Sequence, residues 1–307
     1  MGKYVLRRIL QMIPVVLFAT FLIYAMVFAM PGDPTAGKCG QRQCPEAYVQ
    51  EFREKYNLDD PLVIQYGKYM GKVASGDLGE NQYGVPVADD LKERFSVTGK
   101  LALMALAIEA VIGIIAGMIA GLRKGGFIDS LILVSTLVVI SVPIFVIGVA
   151  AQSVFGLQLG WFPATVQQAD FYNLLMPAIV LGSLSVAYIA RLMRTNIVEN
   201  LGSDYVRTAK AKGLSGSRII GIHTLRNSMI PVITFMGYDF GALLGGAIVT
   251  EGIFNIQGVG GYIFRGINQR DGMAVVGAVT VLVIIYLVVN LLVDLLYGVL
   301  DPRISHD

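Results

Sequence analysis

Long apolar runs separated by short polar segments dominate the pattern of hydrophobic and polar positions along the chain. Residues 101–122 carry a single ionisable residue, Glu109, and residues 131–151 carry none. Because about 20 residues at ~1.5 Å per residue cross a ~30 Å hydrocarbon core, runs of this length predict membrane-spanning helices. The runs are continuous rather than alternating, so they do not predict a β-barrel. Six spans are expected, at 9–30, 101–122, 131–155, 174–193, 229–250 and 275–298.

Prolines and glycines are expected to shape these helices. Pro143 and Pro177 should kink the helices that contain them, because proline removes a backbone N–H and its ring clashes with the preceding turn. Gly113, Gly117 and Gly121 recur every four residues, and small residues at this spacing let helices approach closely in lipid. We therefore expect this glycine stripe to pack against another helix.

The first run follows Lys3, Arg7 and Arg8, as the apolar core of a signal peptide would. Its apolar part is about 20 residues long, which exceeds the roughly 7–15 residues of a signal-peptide core, and no small-x-small cleavage site follows. The run ends instead at Met30, before a Pro-Gly-Asp-Pro stop. We expect it to remain as a spanning helix.

Composition and charge place the chain in a membrane and orient it there. Hydrophobic residues make up 55% of the chain and charged residues 15%, against about 25% charged in a typical soluble domain. The net charge of +2 is too small for a surface that neutralises nucleic-acid phosphates. The short loops 156–173 and 251–273 carry only Arg265 and Arg270 as basic residues. By the positive-inside rule those loops face outward, and both termini are expected in the cytoplasm of a multi-pass cell-membrane protein.

The segment 31–98 would then form a small extracellular cap, with a short helix predicted at 45–57. The cap contains both cysteines of the chain, Cys39 and Cys44. In an oxidising compartment a C-x4-C pair can close a disulfide loop, and two free thiols are the alternative. No metal site is expected, since both histidines, His223 and His306, lie on the other side.

A stretch from Gly32 to Cys39 matches the G-x4-G-K spacing of a phosphate-binding loop. Such a loop needs a preceding strand and a Ser or Thr hydroxyl for Mg²⁺. Here a membrane helix precedes the stretch and Cys39 replaces the hydroxyl. We interpret the match as chance, and we expect no nucleotide site and no cofactor in this chain.

The cytoplasmic segment 195–228 is far longer than a hairpin between two spans needs. Within it, residues 203–213 predict one short helix, with Ser203 or Asp204 as the N-cap and Gly213 at the C-terminal end. Arg207, Lys210 and Lys212 would make its surface cationic, and Tyr205, Val206 and Ala209 would anchor it. Two interpretations stay open: a basic strip on anionic lipid headgroups, or a docking site for a cytoplasmic protein.

Several motifs together resemble the permease subunits of ATP-binding cassette (ABC) importers. D-Y-V-R-T-A-K-A-K-G-L-S at 204–215 and L-R-N-S-M-I-P-V at 225–232 are most similar to the dipeptide and oligopeptide permease that occurs as the first of two paired permeases. The resemblance covers nearly the whole chain. It extends to Y-V-L-R-R-I-L near the start, M-P-G-D-P, S-G-D-L-G, G-G-A-I-V-T-E-G-I-F-N and the closing V-D-L-L-Y-G-V-L-D-P-R-I.

The resemblance implies an all-α membrane protein with six helices in the type I ABC importer fold. Its expected divisions are 1–30, 31–98, a permease core at 99–300 and a cytoplasmic tail at 301–307. It implies that the short cytoplasmic helix is a coupling helix that inserts into an ATPase subunit. Arg207 and Thr208 stand where the general importer signature has Glu and Ala, so no role for that Glu is carried over. The coupling residues expected are Ser203, Asp204, Tyr205, Arg207, Thr208, Ala209, Lys210, Lys212, Gly213 and Leu214.

Polar residues inside the spans mark where a solute path is expected, because an acid at mid-bilayer costs roughly 2.5–3.5 kcal/mol. Asp239 lies near the middle of the fifth span, and Gln152 and Asn290 join it as candidates. Asp239 would contact a peptide ammonium or backbone, or alternatively pair with a neighbouring subunit. We expect Glu109 to be structural.

The function expected from the resemblance is a non-catalytic permease subunit that imports dipeptides or oligopeptides. Its partners would be a related second permease in a heterodimer (a homodimer is the alternative), two ATPase subunits that bind ATP and Mg²⁺, and an extracellular solute-binding protein. Haem or a metal chelate is the alternative cargo. A secondary transporter is the competing class, although the internal repeats typical of that class are not evident.

Overall fold

The computed structural model describes residues 2–29 and 44–300, without the side chains of residues 2–4, 246 and 296–300. The predicted tail at 301–307 lies outside this range. The described residues are almost entirely helical, and their extended pairing is limited to an isolated bridge between Glu80 and Pro86. An all-α chain is therefore confirmed.

The helices run as follows along the described part of the chain. They are α1 Gly2–Phe28, α2 Glu46–Tyr56, α3 Leu62–Ala74, α4 Val87–Leu122, α5 Phe127–Ser141, α6 Ile144–Ala151, α7 Phe171–Leu201, α8 Asp204–Ala211, α9 Gly216–Arg218, α10 Leu225–Phe254, α11 Val259–Asn268 and α12 Gly272–Leu300. Two π-helical stretches, Gln152–Gln158 and Ile219–Thr224, follow α6 and α9 directly.

Among the described residues, five helices are long and apolar enough to cross a membrane, and there are six spans if a bent pair of helices is counted as one. The five lie in α1, α4, α7, α10 and α12, and the bent pair is α5 with α6 and the π-helical stretch after it. Five of the six predicted spans are found as single helices and the third as the bent pair, which agrees with a polytopic membrane protein. The second is longer than predicted, since α4 begins at Val87 rather than at residue 101.

The third predicted span is not one helix. It is broken between Ser141 and Ile144, where its two halves meet at 99°. Pro143 explains the break, because the residue before a proline is driven out of the helical region, and Val142 is extended at φ −102° and ψ 126°. Pro177 was also expected to kink its helix. It lies inside α7, which continues through it without a break, and the kink stays a prediction.

The chain forms two compact units, of which the first comprises residues 1–99 and 255–307. In this unit α1 packs along α12, and α3 packs on α1. Tyr24, Tyr69, Met273 and Val276 form its buried core. An ion pair of 3.1 Å between Arg8 and Asp294 adds a polar link between α1 and α12.

The second unit comprises residues 100–254 and is built around α7, which packs against α5, α6 and α10. Its core is Ile189, Met193, Ile197 and Val232. The predicted glycine stripe lies against α7: a Cβ at Gly113 or Gly121 would stand 2.7 Å from Ile189 or Ile197. The packing role expected for these glycines is confirmed, because no side chain fits into that space.

Arginines of α7 tie α5 to the same unit. Arg194 donates two hydrogen bonds to the Asp129 carboxylate, at 3.0 and 2.8 Å, and the backbone N–H of Gly125 donates a third at 2.8 Å. Arg191 donates to the hydroxyl of Thr136 at 3.0 Å. These basic residues therefore serve the packing of the bundle rather than a free surface.

Candidate functional site

The short helix predicted at 203–213 is present as α8, Asp204–Ala211. Ser203 occupies the N-cap position, but its hydroxyl donates to the backbone carbonyl of Asn200 at 2.6 Å instead of capping α8. At the other end Gly213 has φ +76°, a left-handed conformation that glycine adopts without strain. The N–H of the following Leu214 donates to the carbonyl of Ala209 at 3.2 Å and closes the last turn.

One face of α8 is buried. Val206 and Ala209, three residues apart and therefore on one side of the helix, pack against Ile219 with Leu214 beside them. Val206 has no exposed surface and Ala209 has 8%. The anchoring role predicted for these two residues is consistent with this packing.

The opposite face of α8 is exposed and mostly cationic. Arg207 pairs with Asp204 at 3.4 Å and donates to the carbonyl of Gly202 at 3.4 Å, and 75% of the arginine side chain is accessible. Thr208, Lys210, Lys212 and Gly213 are exposed as well. The helix thus presents three cations and two small residues at a surface that no described part of the chain covers.

Hydrogen bonds fix α8 to α7 and α10, a feature not anticipated from the sequence. The Tyr205 hydroxyl donates to Oδ1 of Asn200 at 2.6 Å. The Asn200 amide nitrogen donates to the Ser228 hydroxyl at 3.0 Å. A lone Asn near a helix end carries no sequence signal for such a role, because its partners are five and 28 residues away in different helices.

Asp239 lies in α10 within the second unit and is half-buried. It faces Glu109 of α4, which is fully buried and also lies beside Ser185 of α7. Neither carboxyl oxygen of Glu109 is satisfied by a hydrogen bond within the described residues, and the same holds for Oδ2 of Asp239. Two acids therefore meet inside the helix bundle, where burial of an uncompensated charge is costly.

Gln152 is not brought to Asp239 within the second unit. The Gln152 amide donates to the carbonyls of Ala164 and Ile253, at 2.8 and 3.0 Å. Ile253 lies about 21 Å from Asp239 along α10 at ~1.5 Å per residue. Gln152 thus holds backbone segments together. Asn290 belongs to the first unit, and its Oδ1 is buried without a partner among the described residues.

Only one of the two cysteines of the predicted disulfide lies among the described residues. Cys44 is in a disulfide-bonded state, while Cys39 lies outside the described residues. The Cys39–Cys44 pairing stays a prediction. Among the described residues no group of three or more potential metal ligands comes together.

Comparison with known proteins decides the family. Residues 113–306 match the model of the binding-protein-dependent transport system inner membrane component, and residues 1–96 match the N-terminal model of the same membrane component. The chain belongs to this family. It is accordingly a multi-pass inner-membrane permease subunit of an ABC transport system.

Curated relatives match the permease along its whole length. It is 34% identical to the dipeptide transport system permease protein DppB of Alkalihalophilus pseudofirmus, over 100% of both chains. It is 35% identical to the di/tripeptide transport system permease protein DppB of Pseudomonas aeruginosa, over 100% of the permease and 99% of that protein. It is also 35% identical to the glutathione transport system permease protein GsiC of Escherichia coli, over 100% of both.

Proposed function

We propose that the permease carries peptides into the cell, driven by separate ATPase subunits that dock on α8. The observation that carries this proposal is the form of α8: a cationic face with no covering element in the described chain, held in place by a buried apolar face. The relatives described as dipeptide, di/tripeptide and glutathione permeases support a short peptide as the cargo.

The arrangement that follows from this proposal has both termini and α8 in the cytoplasm. Helices α2 and α3 then form the extracellular cap. A related second permease completes the pathway, two ATPase subunits bind ATP and Mg²⁺, and an extracellular binding protein delivers the solute. The scarcity of basic residues in loops 156–173 and 251–273 supports this orientation.

Charge reversal on α8 tests the docking step. Lys210 and Lys212 are exposed, so replacing both with Glu leaves the packing of Val206 and Ala209 intact. The double variant should reach the membrane but lose the ATPase subunits on purification, together with ATP-driven uptake. Ala209→Glu would be a poorer test, since it forces a charge into the buried face.

A second pair of exposed basic residues provides the matched control. Arg123→Glu with Lys124→Glu changes the charge by the same amount in the loop before α5. If α8 is only a basic strip on lipid headgroups, the two double variants will behave alike. Retention of the ATPases and of uptake by the Lys210/Lys212 variant would refute docking on α8.

We also propose that Asp239 lines the solute path. It is half-buried and has an unsatisfied carboxylate oxygen, so it can receive a substrate ammonium or N–H. Asp239→Asn should lower uptake of cationic peptides more than uptake of neutral ones, with assembly and ATPase activity retained. Glu109→Gln removes a neighbouring acid that has no exposed surface, and it should not change this preference. Equal uptake of both peptide classes by Asp239→Asn would contradict the assignment.

A further inference from the structure

The side chain of Asn200, at the end of α7, joins three helices of the second unit. Its Oδ1 accepts from the Tyr205 hydroxyl of α8 at 2.6 Å. Its Nδ2 donates to Ser228 Oγ of α10 at 3.0 Å and to the carbonyl of Asn196 within α7 at 2.9 Å. The amide therefore uses its acceptor and both of its N–H groups at once.

The direction of these bonds excludes both an acid and an apolar residue at position 200. Ser228 is fully buried, and its hydroxyl donates to the carbonyl of Thr224 at 2.9 Å. Since its single hydrogen is used there, Ser228 can only accept from Asn200. An Asp at position 200 would keep the bond from Tyr205 and lose both donors, while an apolar residue would lose all three bonds.

The apolar contacts that also attach α8 do not fix its orientation as hydrogen bonds do. Val206 and Ala209 contact Ile219 through a small apolar cluster, and apolar contact is non-directional. The backbone between α7 and α8 consists of Gly202 and Ser203. The Ser203 hydroxyl also donates to the carbonyl of Asn200, but this bond stays at the junction of α7 and α8. The chain from Tyr205 through Asn200 to Ser228 is the directional link that also reaches α10.

We propose that Asn200 is a positioning residue that makes α7 and α10 follow the displacement of α8. This inference rests on the proposed docking of ATPase subunits on α8. When the docked ATPases move α8, the hydrogen-bonded side chains carry the movement to two spans of the bundle, so that hydrolysis and the change in membrane access stay linked. Without Asn200, α8 can move while α7 and α10 stay in place, and part of the ATP is then hydrolysed without transport of a peptide.

The test measures the amount of peptide taken up per ATP hydrolysed, in proteoliposomes that contain the complete transporter with its binding protein. Asn200→Ala should lower this ratio by at least about 2- to 10-fold, because that is the range expected for one net hydrogen bond and this variant removes both bonds that connect α8 to α10. Ser228→Ala, a small change at a buried site, should lower it by a similar factor. Because both act on one chain of bonds, the double variant should be no worse than Asn200→Ala.

Asn196→Ala is the matched control. Asn196 lies one turn earlier in α7, and its amide donates only to the carbonyl of Leu192 at 2.8 Å, within the same helix. Its loss should leave the ratio unchanged. A merely structural effect would lower the amount of assembled transporter and leave the uptake per ATP as in the wild type.

Two results would overturn the role of Asn200: a wild-type ratio in Asn200→Ala, or effects of the two single variants that multiply in the double. Failure of the underlying docking proposal is recognised separately. In that case the Lys210→Glu/Lys212→Glu variant would keep its ATPases and its uptake. A wrong role for Asn200 alone leaves that variant inactive and Asn200→Ala fully coupled.

Discussion

Replacing Gly117 with Ala should destabilise the helix bundle by a predictable amount. A Cβ at Gly117 would stand 2.6 Å from the Cβ of Met193 and closer still to the carbonyl oxygen of Ala190. Ordinary contact begins near 3.4 Å, so α4 and α7 have to separate locally by at least ~0.8 Å, the difference for the Met193 contact. Overpacking of this kind costs about 1–3 kcal/mol. Since a backbone carbonyl is involved, rotation of a side chain cannot relieve it.

Gly99 supplies a control in the same helix. A Cβ there meets nothing within 4 Å, so Gly99→Ala should be neutral or stabilise α4 by roughly 0.5–1 kcal/mol through helix propensity. Thermal unfolding of the purified permease in one detergent, followed by loss of the monodisperse species, compares the two. Gly117→Ala should unfold several degrees below Gly99→Ala. Equal midpoints for the two variants would refute the close helix approach.

Three further outcomes are expected. Arg194→Gln should destabilise the permease by about 3–5 kcal/mol in thermal unfolding, because it leaves the Asp129 carboxylate buried without its cation, and adding Asp129→Asn should recover part of the loss. Gln152→Leu should lower the unfolding temperature without changing peptide preference, since the Gln152 amide serves two backbone carbonyls; a changed preference would instead place it in the path. Burial raises the pKa of the Tyr69 hydroxyl to about 12, above the usual value near 10, so its contribution to stability is complete below about pH 10 and is lost as the pH rises through 12. Tyr69→Phe should therefore reduce the loss of stability measured by alkaline unfolding.

The spans were predictable because hydropathy alone identifies them, but their ends and breaks were not. Residues 87–100 of α4 include Asp89, Asp90, Lys92 and Lys100, so an apolar pattern ends near residue 101 although the helix continues. The break at Pro143 and the continuity at Pro177 have the same sequence signal. Their surroundings differ, since Pro177 is buried within α7 whereas Pro143 is exposed at the break.

The geometry of α8 followed the sequence closely because it rests on local rules: an N-cap position, apolar residues three apart and a glycine with positive φ. The contacts of α8 with the rest of the unit could not be predicted from the sequence, because they join residues that are far apart in the chain. Nothing near Asn200 in the sequence points to Ser228, and Ile219, which completes the buried face, lies in a π-helical stretch that a regular helical pattern does not predict.

Hydrogen bonding separates the polar residues of the spans into two kinds. Asp129 and Gln152 are tied to groups of the chain itself, so their place in a membrane is explained by packing. Glu109 and Asp239 meet each other instead, and an acid pair gains nothing from its own proximity. Such a site is costly to keep in a bilayer unless a proton or a positively charged group joins it. Under the proposal that Asp239 lines the solute path, a peptide ammonium meets that need at this half-buried member of the pair, while Glu109 has no surface through which a solute could reach it. Of the two acids, Asp239 is therefore the one that we propose to contact the cargo.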